Sequence, residues 1–298
     1  MVVEHDVAIV GSGVSGMTCA RYLRNANVDC VVFGDYTMSS LASATGVSNF
    51  PGFGKADGLD IVEQMSKDLF KPTDILDDVE KIDLYDNGET FFITAGDHRV
   101  NSKVVVVATG TKPKNAGLEG EDALIGDGIS YCAYCDGSLC GGKDVVVIGG
   151  GNNAFQSAIY LSMLAKTVTV ILRRNVFRAD KSLVERANRI GNIRMLFNVQ
   201  LNRVRMEDGR IHLNDGNFFD ISCDHVFYAV GRIPNTDVVK NLHPEIDDGG
   251  YLKVKNHMTS IRNLYACGDV CDSSRFKQAV IAAGDGAETA LEIIGGLK

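Results

Sequence analysis

The chain is predicted to be an α/β protein built from two nested units of parallel sheet, one inserted into the other. Three observations predict this. A strand, glycine loop, helix and strand open the sequence; the same grammar returns in mid-chain; and the segment after the second copy is too short to fold alone. With 298 residues there is room for two domains of ordinary size, and a hydrophobic content of 45% supports a sizeable core.

The first unit begins with a short apolar strand, Val7–Val10, which runs into Gly11-Ser12-Gly13-Val14-Ser15-Gly16. A helix is expected from about Gly13 to Asn25, then a strand at Cys30–Phe33. Glycines in such a turn permit a tight bend and close backbone approach, and the helix N-terminus offers its free amides to a pyrophosphate. A Rossmann-like dinucleotide site is therefore expected. Val104–Ala108 reads as a buried strand entering Thr109-Gly110-Thr111.

The second copy runs through strand Val145–Ile148, loop Gly149-Gly150-Gly151-Asn152-Asn153-Ala154, a helix from about Asn153 to Leu164, and strand Val168–Leu172. His225–Gly231 is the counterpart of Val104–Ala108, so an internal duplication is the simplest account. A last strand, Leu264–Val270, contains Gly268-Asp269. Turn residues gather at Lys112-Pro113-Lys114 and from Pro234-Asn235-Thr236 to His243-Pro244. The expected division is residues 1–114 with 244–298 as one domain and 115–243 as the insertion. Two connections of this kind suit a hinge.

A formal net charge of −8 argues against nucleic acid or an anionic membrane as partner, but is compatible with a small protein. No apolar run approaches the roughly 20 residues that cross a bilayer. Met1–Asp6 has no basic stretch of the secretory type, so a cytoplasmic location is expected. Six of the eight cysteines are scattered, as in a reducing compartment. Cys19, Cys30 and Cys267 read as small buried hydrophobes, whereas Cys140 and Cys271 are less easily placed.

The remaining pair stands in Cys132-Ala133-Tyr134-Cys135-Asp136, between the two glycine loops. Two cysteines at this spacing can close a small, easily reduced disulfide. A redox pair flanked by two dinucleotide sites reads as an electron relay. The alternatives are half of a zinc site and a purely structural pair on a flavin scaffold. Zinc needs a second pair or histidines nearby; none stands out, and no metal is expected.

The end of the second strand faces the adenosine ribose in dinucleotide folds. In the first copy this is Gly34 followed by Asp35, a displaced acid with the ribose in reach. In the second it is Leu172 followed by Arg173-Arg174 and then Arg178, with no nearby acid. Planar guanidinium groups there suit a 2′-phosphate, which favours NADP(H), the alternative being a solvated basic turn. The first copy then needs another dinucleotide, and Asp269 is a carboxylate of the kind that holds the ribityl hydroxyls of FAD.

With these motifs in order, the chain resembles the low-molecular-weight thioredoxin reductases over essentially its full length. The resemblance is carried by Gly11–Gly16, Thr45–Gly52, Ala108–Gly110, Cys132–Asp136, Gly149–Ala154, Arg173–Arg178, Val230–Thr236, Gly268-Asp269 and Lys277–Ala279. It implies nested FAD and NADPH domains and a homodimer. Gly11, Gly13, Gly16, Asn49, Asp269, Gln278 and Ala279 are implied to contact FAD, and Gly151, Ala154, Arg173, Arg174 and Arg178 to contact NADPH. Asp35, Thr45, Thr109, Gly110, Gly149, Gly268 and Lys277 complete the implied cofactor-binding set.

The resemblance further implies that Cys135 exchanges electrons with the flavin, Cys132 attacks the partner disulfide, and Asp136 serves as general acid/base. Electrons would pass from NADPH through FAD and Cys132–Cys135 to thioredoxin or a thioredoxin-like protein, the inserted domain rotating between two geometries. Four departures mark this chain. Met38-Ser39-Ser40-Leu41 replaces Gly-Gly-Gln-Leu, Gln156-Ser157 replaces paired glutamates, Leu172 replaces a His, and Lys277 replaces an Arg. The rival expectations are a thioredoxin reductase with a ferredoxin or deazaflavin donor, and a flavin-dependent dithiol oxidase.

Overall fold

A computed structural model of the chain describes residues 2–44, 47, 49–67, 75–76, 82–273 and 277–296. Thr45 and the side chain of Cys135 lie outside the described residues. The chain divides into two compact units, Met1–Lys112 with Ile233–Lys298, and Pro113–Arg232.

The first unit opens with β1 (Val3–Val10), α1 (Val14–Asn25), β2 (Cys30–Phe33), α2 (Gly58–Lys67), β3 (Ile75–Leu76), β4 (Ile82–Asp86), β5 (Phe91–Ala95) and β6 (His98–Val107). β7 (Thr111–Pro113) leads into the second unit. That unit holds β8 (Ile129–Ser130), α3 (Ala133–Asp136), β9 (Asp144–Ile148), α4 (Asn152–Leu161), β10 (Thr167–Leu172), α5 (Lys181–Asn188) and β11 (Ile193–Phe197). It continues with β12 (Arg203–Glu207), β13 (Arg210–Asn214), β14 (Asp220–Cys223) and β15 (His225–Tyr228). β16 (Arg232–Pro234) leads back, and β17 (Leu264–Ala266) and α6 (Ala279–Gly296) complete the first unit.

The sheet of the first unit has the order β3-β2-β1-β6-β5-β4, and β17 also pairs with β6. β6 serves two partners on one edge: Val100 and Ser102 pair antiparallel with β5, while Val105–Val107 pair parallel with β17. The second half of β1, Val7–Val10, is apolar without alternation because both its faces are covered. Val7 and Ile9 pack with Cys19, Ala20 and Leu23 of α1 and Ala290 and Ile293 of α6. Ala8 and Val10 face the opposite layer, with Leu84, Phe91, Ile93, Val239 and Leu252. Each fully buried Leu, Ile or Phe contributes roughly 1.5–3 kcal/mol. α1 stops where Asn27 turns left-handed at φ 59° and its amide bonds Arg24 O at 2.9 Å.

The sheet of the second unit is parallel, in the order β11-β10-β9-β15-β8. One face packs Val145, Val147, Val170 and Phe227 against Ala154, Phe155 and Ala158 of α4 and Val184 and Ala187 of α5. The other places Val146, Val226 and Tyr228 against Val204, Ile211, Leu213 and Cys223 of the antiparallel β12-β13-β14 sheet. The expected α/β class with two Rossmann-like units is the fold observed. Among the described residues no helix is long and apolar enough to cross a membrane.

The return crossing falls at Arg232/Ile233, earlier than the expected division at His243/Pro244. The intervening residues belong to the first unit because they pack there. Asp237–Leu242 forms a 3-10 turn, Val239 is buried in the first core, and Asn241 Nδ2 donates to Leu84 O at 2.6 Å. The outgoing and returning strands, β7 and β16, pair with each other. The last expected strand is also shorter: it ends at Ala266, and Gly268–Val270 is a 3-10 turn.

Candidate active site

In the first unit, β1 runs into Gly11, whose amide bonds Phe33 O at 2.8 Å. Gly11 has φ +116°, and a Cβ there would stand 2.3 Å from the Ala108 carbonyl oxygen. Gly16 lies so close beneath the loop that its Cβ would stand 1.9 Å from Gly11 O. Gly13 is different. It caps α1 without a side-chain hydrogen bond, and a Cβ there would meet only Ser39 Cβ, at 3.9 Å. α1 thus starts with no capping side chain and with room at Gly13, which fits a pyrophosphate.

Two distant segments return to this loop. Gly268 lies against α1, where a Cβ would stand 2.5 Å from Ser15 Oγ, so the half-buried Asp269 follows at the first turn of that helix. Asn49 Nδ2 donates to Gln278 Oε1 at 3.3 Å, joining two of the expected cofactor residues, and Ala279 opens α6. Other expected residues have protein partners. Lys277 Nζ donates to Cys271 O at 2.6 Å and lies 4.9 Å from the Tyr251 ring centroid. The Thr109 hydroxyl donates to Asn235 O at 2.6 Å, and the Asn235 amide donates to Gly110 O at 2.9 Å. Asp35 Oδ1 accepts from Thr37 N at 2.8 Å and Thr37 Oγ1 at 2.6 Å, capping the turn Tyr36–Met38.

The second unit repeats the cradle. Gly149 bonds Ile171 O at 3.1 Å, and a Cβ on it would stand 2.3 Å from Ala229 O. Gly151 caps α4 with no side-chain bond and nothing within 4 Å of a Cβ position, while Ala154 is fully buried. The arginine-bearing segment folds onto this loop: the amides of Arg178 and Ala179 donate to Gly150 O at 2.7 and 3.2 Å. Asn152 and Asp180 form a reciprocal pair at 2.9 and 2.8 Å, and Phe177 meets the Phe155 ring edge-on at 6.1 Å. Arg173, Arg174 and Arg178 are exposed, and among the described residues no hydrogen bond or ion pair holds their guanidinium groups.

Also in the second unit, β8 leads through Tyr131 to Cys132, which is disulfide-bonded. The Asp136 amide closes the short α3 on Cys132 O at 3.1 Å, and the Asp136 side chain is half-buried. Tyr134 stacks on Tyr160 of α4 at 4.6 Å. The cysteines at 19, 30, 140, 223, 267 and 271 are free and buried, Cys140 and Cys271 included. Burial pushes the Cys140 thiol up to about 11 and the Cys223 thiol up to about 12, so neither is a ready nucleophile. Sequence reasoning missed two buried polar groups near this segment. His225 Nε2 lies 2.9 Å from Ser130 Oγ, and Glu121 accepts the Gly117 amide with both oxygens at 3.1 Å. The only sequence signal for the first was a histidine heading an apolar strand.

Comparison with known proteins agrees with this geometry. The family model described as pyridine nucleotide-disulphide oxidoreductase matches residues 5–286. A thioredoxin reductase of Mycolicibacterium smegmatis is 34% identical over 299 residues, covering 97% of this chain and 95% of the relative. One from Streptomyces clavuligerus is 37% identical over 302 residues, covering 96% and 92%. The crystal structure of T. acidophilum thioredoxin reductase superposes with a TM-score of 0.81 at 30% identity, covering 99% of both chains.

Proposed function

The chain belongs to the thioredoxin reductases of the pyridine nucleotide-disulphide oxidoreductase family, and we propose that it carries electrons from NADPH to thioredoxin or a thioredoxin-like protein. In this reading the first unit holds FAD, the second holds NADPH, and the enzyme works as a cytoplasmic homodimer whose inserted unit turns about its two connections.

The observation that carries the choice of NADPH is the pair of amide bonds from Arg178 and Ala179 to Gly150 O. They tie a segment with three uncommitted guanidinium groups to the glycine loop that would take the pyrophosphate. A 2′-phosphate there gains charge-assisted, bidentate hydrogen bonds that a bare 2′-hydroxyl does not. In the first unit the uncapped start of α1, with Gly268-Asp269 beside Ser15 and Asn49 bonded to Gln278, suits FAD. Bound FAD supplies a two-electron store that takes hydride from the nicotinamide and passes the pair to a disulfide.

The protein's own residues carry out the exchange with the partner. In the reduced Cys132–Cys135 pair, Asp136 accepts the proton of Cys132. The Cys132 thiolate bonds one sulfur of the partner disulfide, and the other sulfur leaves and takes the proton back from Asp136. Cys135 then loses its proton and attacks the Cys132 sulfur, and the second partner sulfur leaves with that proton. The partner gains two electrons and two protons, and the enzyme regains its disulfide.

An anaerobic titration of the FAD-loaded protein with NADPH tests this. The expected result is rapid bleaching of the visible flavin absorbance, with the electrons recovered as thioredoxin thiols. A flavin that stays oxidised in excess NADPH overturns the choice of donor and points to ferredoxin, reduced deazaflavin or a dithiol.

A further inference from the structure

β8 and β15 run parallel with Phe227 opposite Ser130, so these side chains project to the same face of the sheet. That face is the one packed by α4, Ala133 and Cys140. His225, two positions before Phe227, shares it. The imidazole and the Ser130 hydroxyl are both buried, 7% and 8% exposed, and 2.9 Å apart, with the Phe227 ring 4.9 Å from the imidazole. Ser130 ends β8, and only Tyr131 separates it from Cys132. A buried polar pair at the end of a strand costs desolvation that an apolar pair of similar size avoids. Its place directly before the redox cysteine gives that cost a use.

We propose that Ser130 and His225 are positioning residues, a buried brace that pins the end of β8 and so fixes where Cys132 and Asp136 stand. The proposal rests on the disulfide-reductase reading above. The groups acting on the imidazole come from two sides. Burial holds it below the usual histidine range; the Asp136 carboxylate opposes that, and Lys143 reinforces it. Held neutral by burial, His225 takes a proton only in acid, reorganises its bond to Ser130 and sets a positive charge in the field of Asp136. The reactivity of Cys132 therefore carries an acid-side inflection that belongs to His225.

The test uses the FAD-loaded full chain, reduced anaerobically and labelled with iodoacetamide across pH 5 to 9, with Cys132 followed by peptide mass. Ser130→Ala and His225→Phe are expected to slow labelling at neutral pH and lower kcat for disulfide reduction about five- to tenfold, the worth of one buried hydrogen bond. His225→Phe should also erase the acid-side inflection, whereas Ser130→Ala, which keeps the titrating imidazole, should move it without erasing it. NADPH-driven reduction of ferricyanide should stay unchanged. His225→Gln, whose amide still reaches Ser130, should recover the neutral-pH rate without the inflection.

Wild-type labelling profiles and kcat in Ser130→Ala and His225→Phe overturn the proposal. So does a parallel loss of ferricyanide reduction, since the pair would then merely hold the fold. A wild-type protein that reduces no protein disulfide refutes the functional reading instead, and the labelling profile still judges the brace.

Discussion

The two glycine loops share a grammar and differ in how tightly it is enforced. In Gly11–Gly16 the last glycine is compulsory, because a Cβ on Gly16 would stand 1.9 Å from a backbone oxygen. In Gly149–Ala154 the same position is already alanine, fully buried among the side chains of α4 and its sheet. The strand ends differ as well. Asp35 spends one carboxylate oxygen on capping its own turn, whereas the segment after Leu172 bonds back to the loop through backbone and leaves three arginines uncommitted. One copy is built around close helix–strand contact and the other around an electrostatic rim. A duplicated motif therefore does not make duplicated sites; the residues just beyond it decide what each copy holds.

The sharpest way to break this comparison is to equalise the two loops. Gly16→Ala forces a methyl into Gly11 O, and the backbone must shift at a cost of roughly 3 kcal/mol. The variant is expected to unfold at much lower urea and to lose flavin on gel filtration. The reciprocal change, Ala154→Gly, only loosens a helix, costing about 1 kcal/mol. Urea unfolding of both variants checks the contrast, and equal stability would show that the two loops are held alike.

The next effect falls on the rim. Arg173→Ala with Arg174→Ala is expected to raise KM for NADPH about ten- to hundredfold, the loss of one or two charge-assisted hydrogen bonds. KM for NADH should scarcely move. Steady-state assays with both nucleotides decide it; an unchanged ratio would make the arginines an ordinary solvated turn.

Much of this was legible beforehand, for physical reasons. β2 was placed to the residue and β9 and β10 to within one, because parallel strands covered on both faces are continuous apolar runs. β1 begins four residues earlier than expected, since Val3–Asp6 is mostly polar and partly exposed. The return crossing was placed late because the turn residues around Pro234 and Pro244 look alike, while the packing of Val239 that assigns Asp237–Leu242 leaves no turn signal. The arginine segment's attachment to Gly150 was invisible for a related reason: backbone amides bonding a backbone carbonyl carry no side-chain signature. The Asn49–Gln278 bond joins residues far apart in sequence, and only family resemblance brought the two together in advance. Ser130 and His225 escaped notice because a single polar residue in an apolar strand reads as a tolerated exception until its partner is seen.

The smallest effect concerns Asp35, where the two copies differ by a single carboxylate. Its Oδ1 accepts both the amide and the hydroxyl of Thr37, so removing the acceptor should cost about 1 kcal/mol, as for other caps. Asp35→Asn keeps an oxygen in the same place and should leave stability close to wild type. If capping is the whole role, flavin affinity stays unchanged in both variants, and thermal melts separate them while flavin titrations do not. A ribose contact predicts the opposite ranking. Asn is a poorer acceptor for a ribose hydroxyl than a carboxylate, so Asp35→Asn would bind flavin more weakly while melting normally. That result would return Asp35 to the cofactor and make the first strand end a ribose site that also caps its own turn.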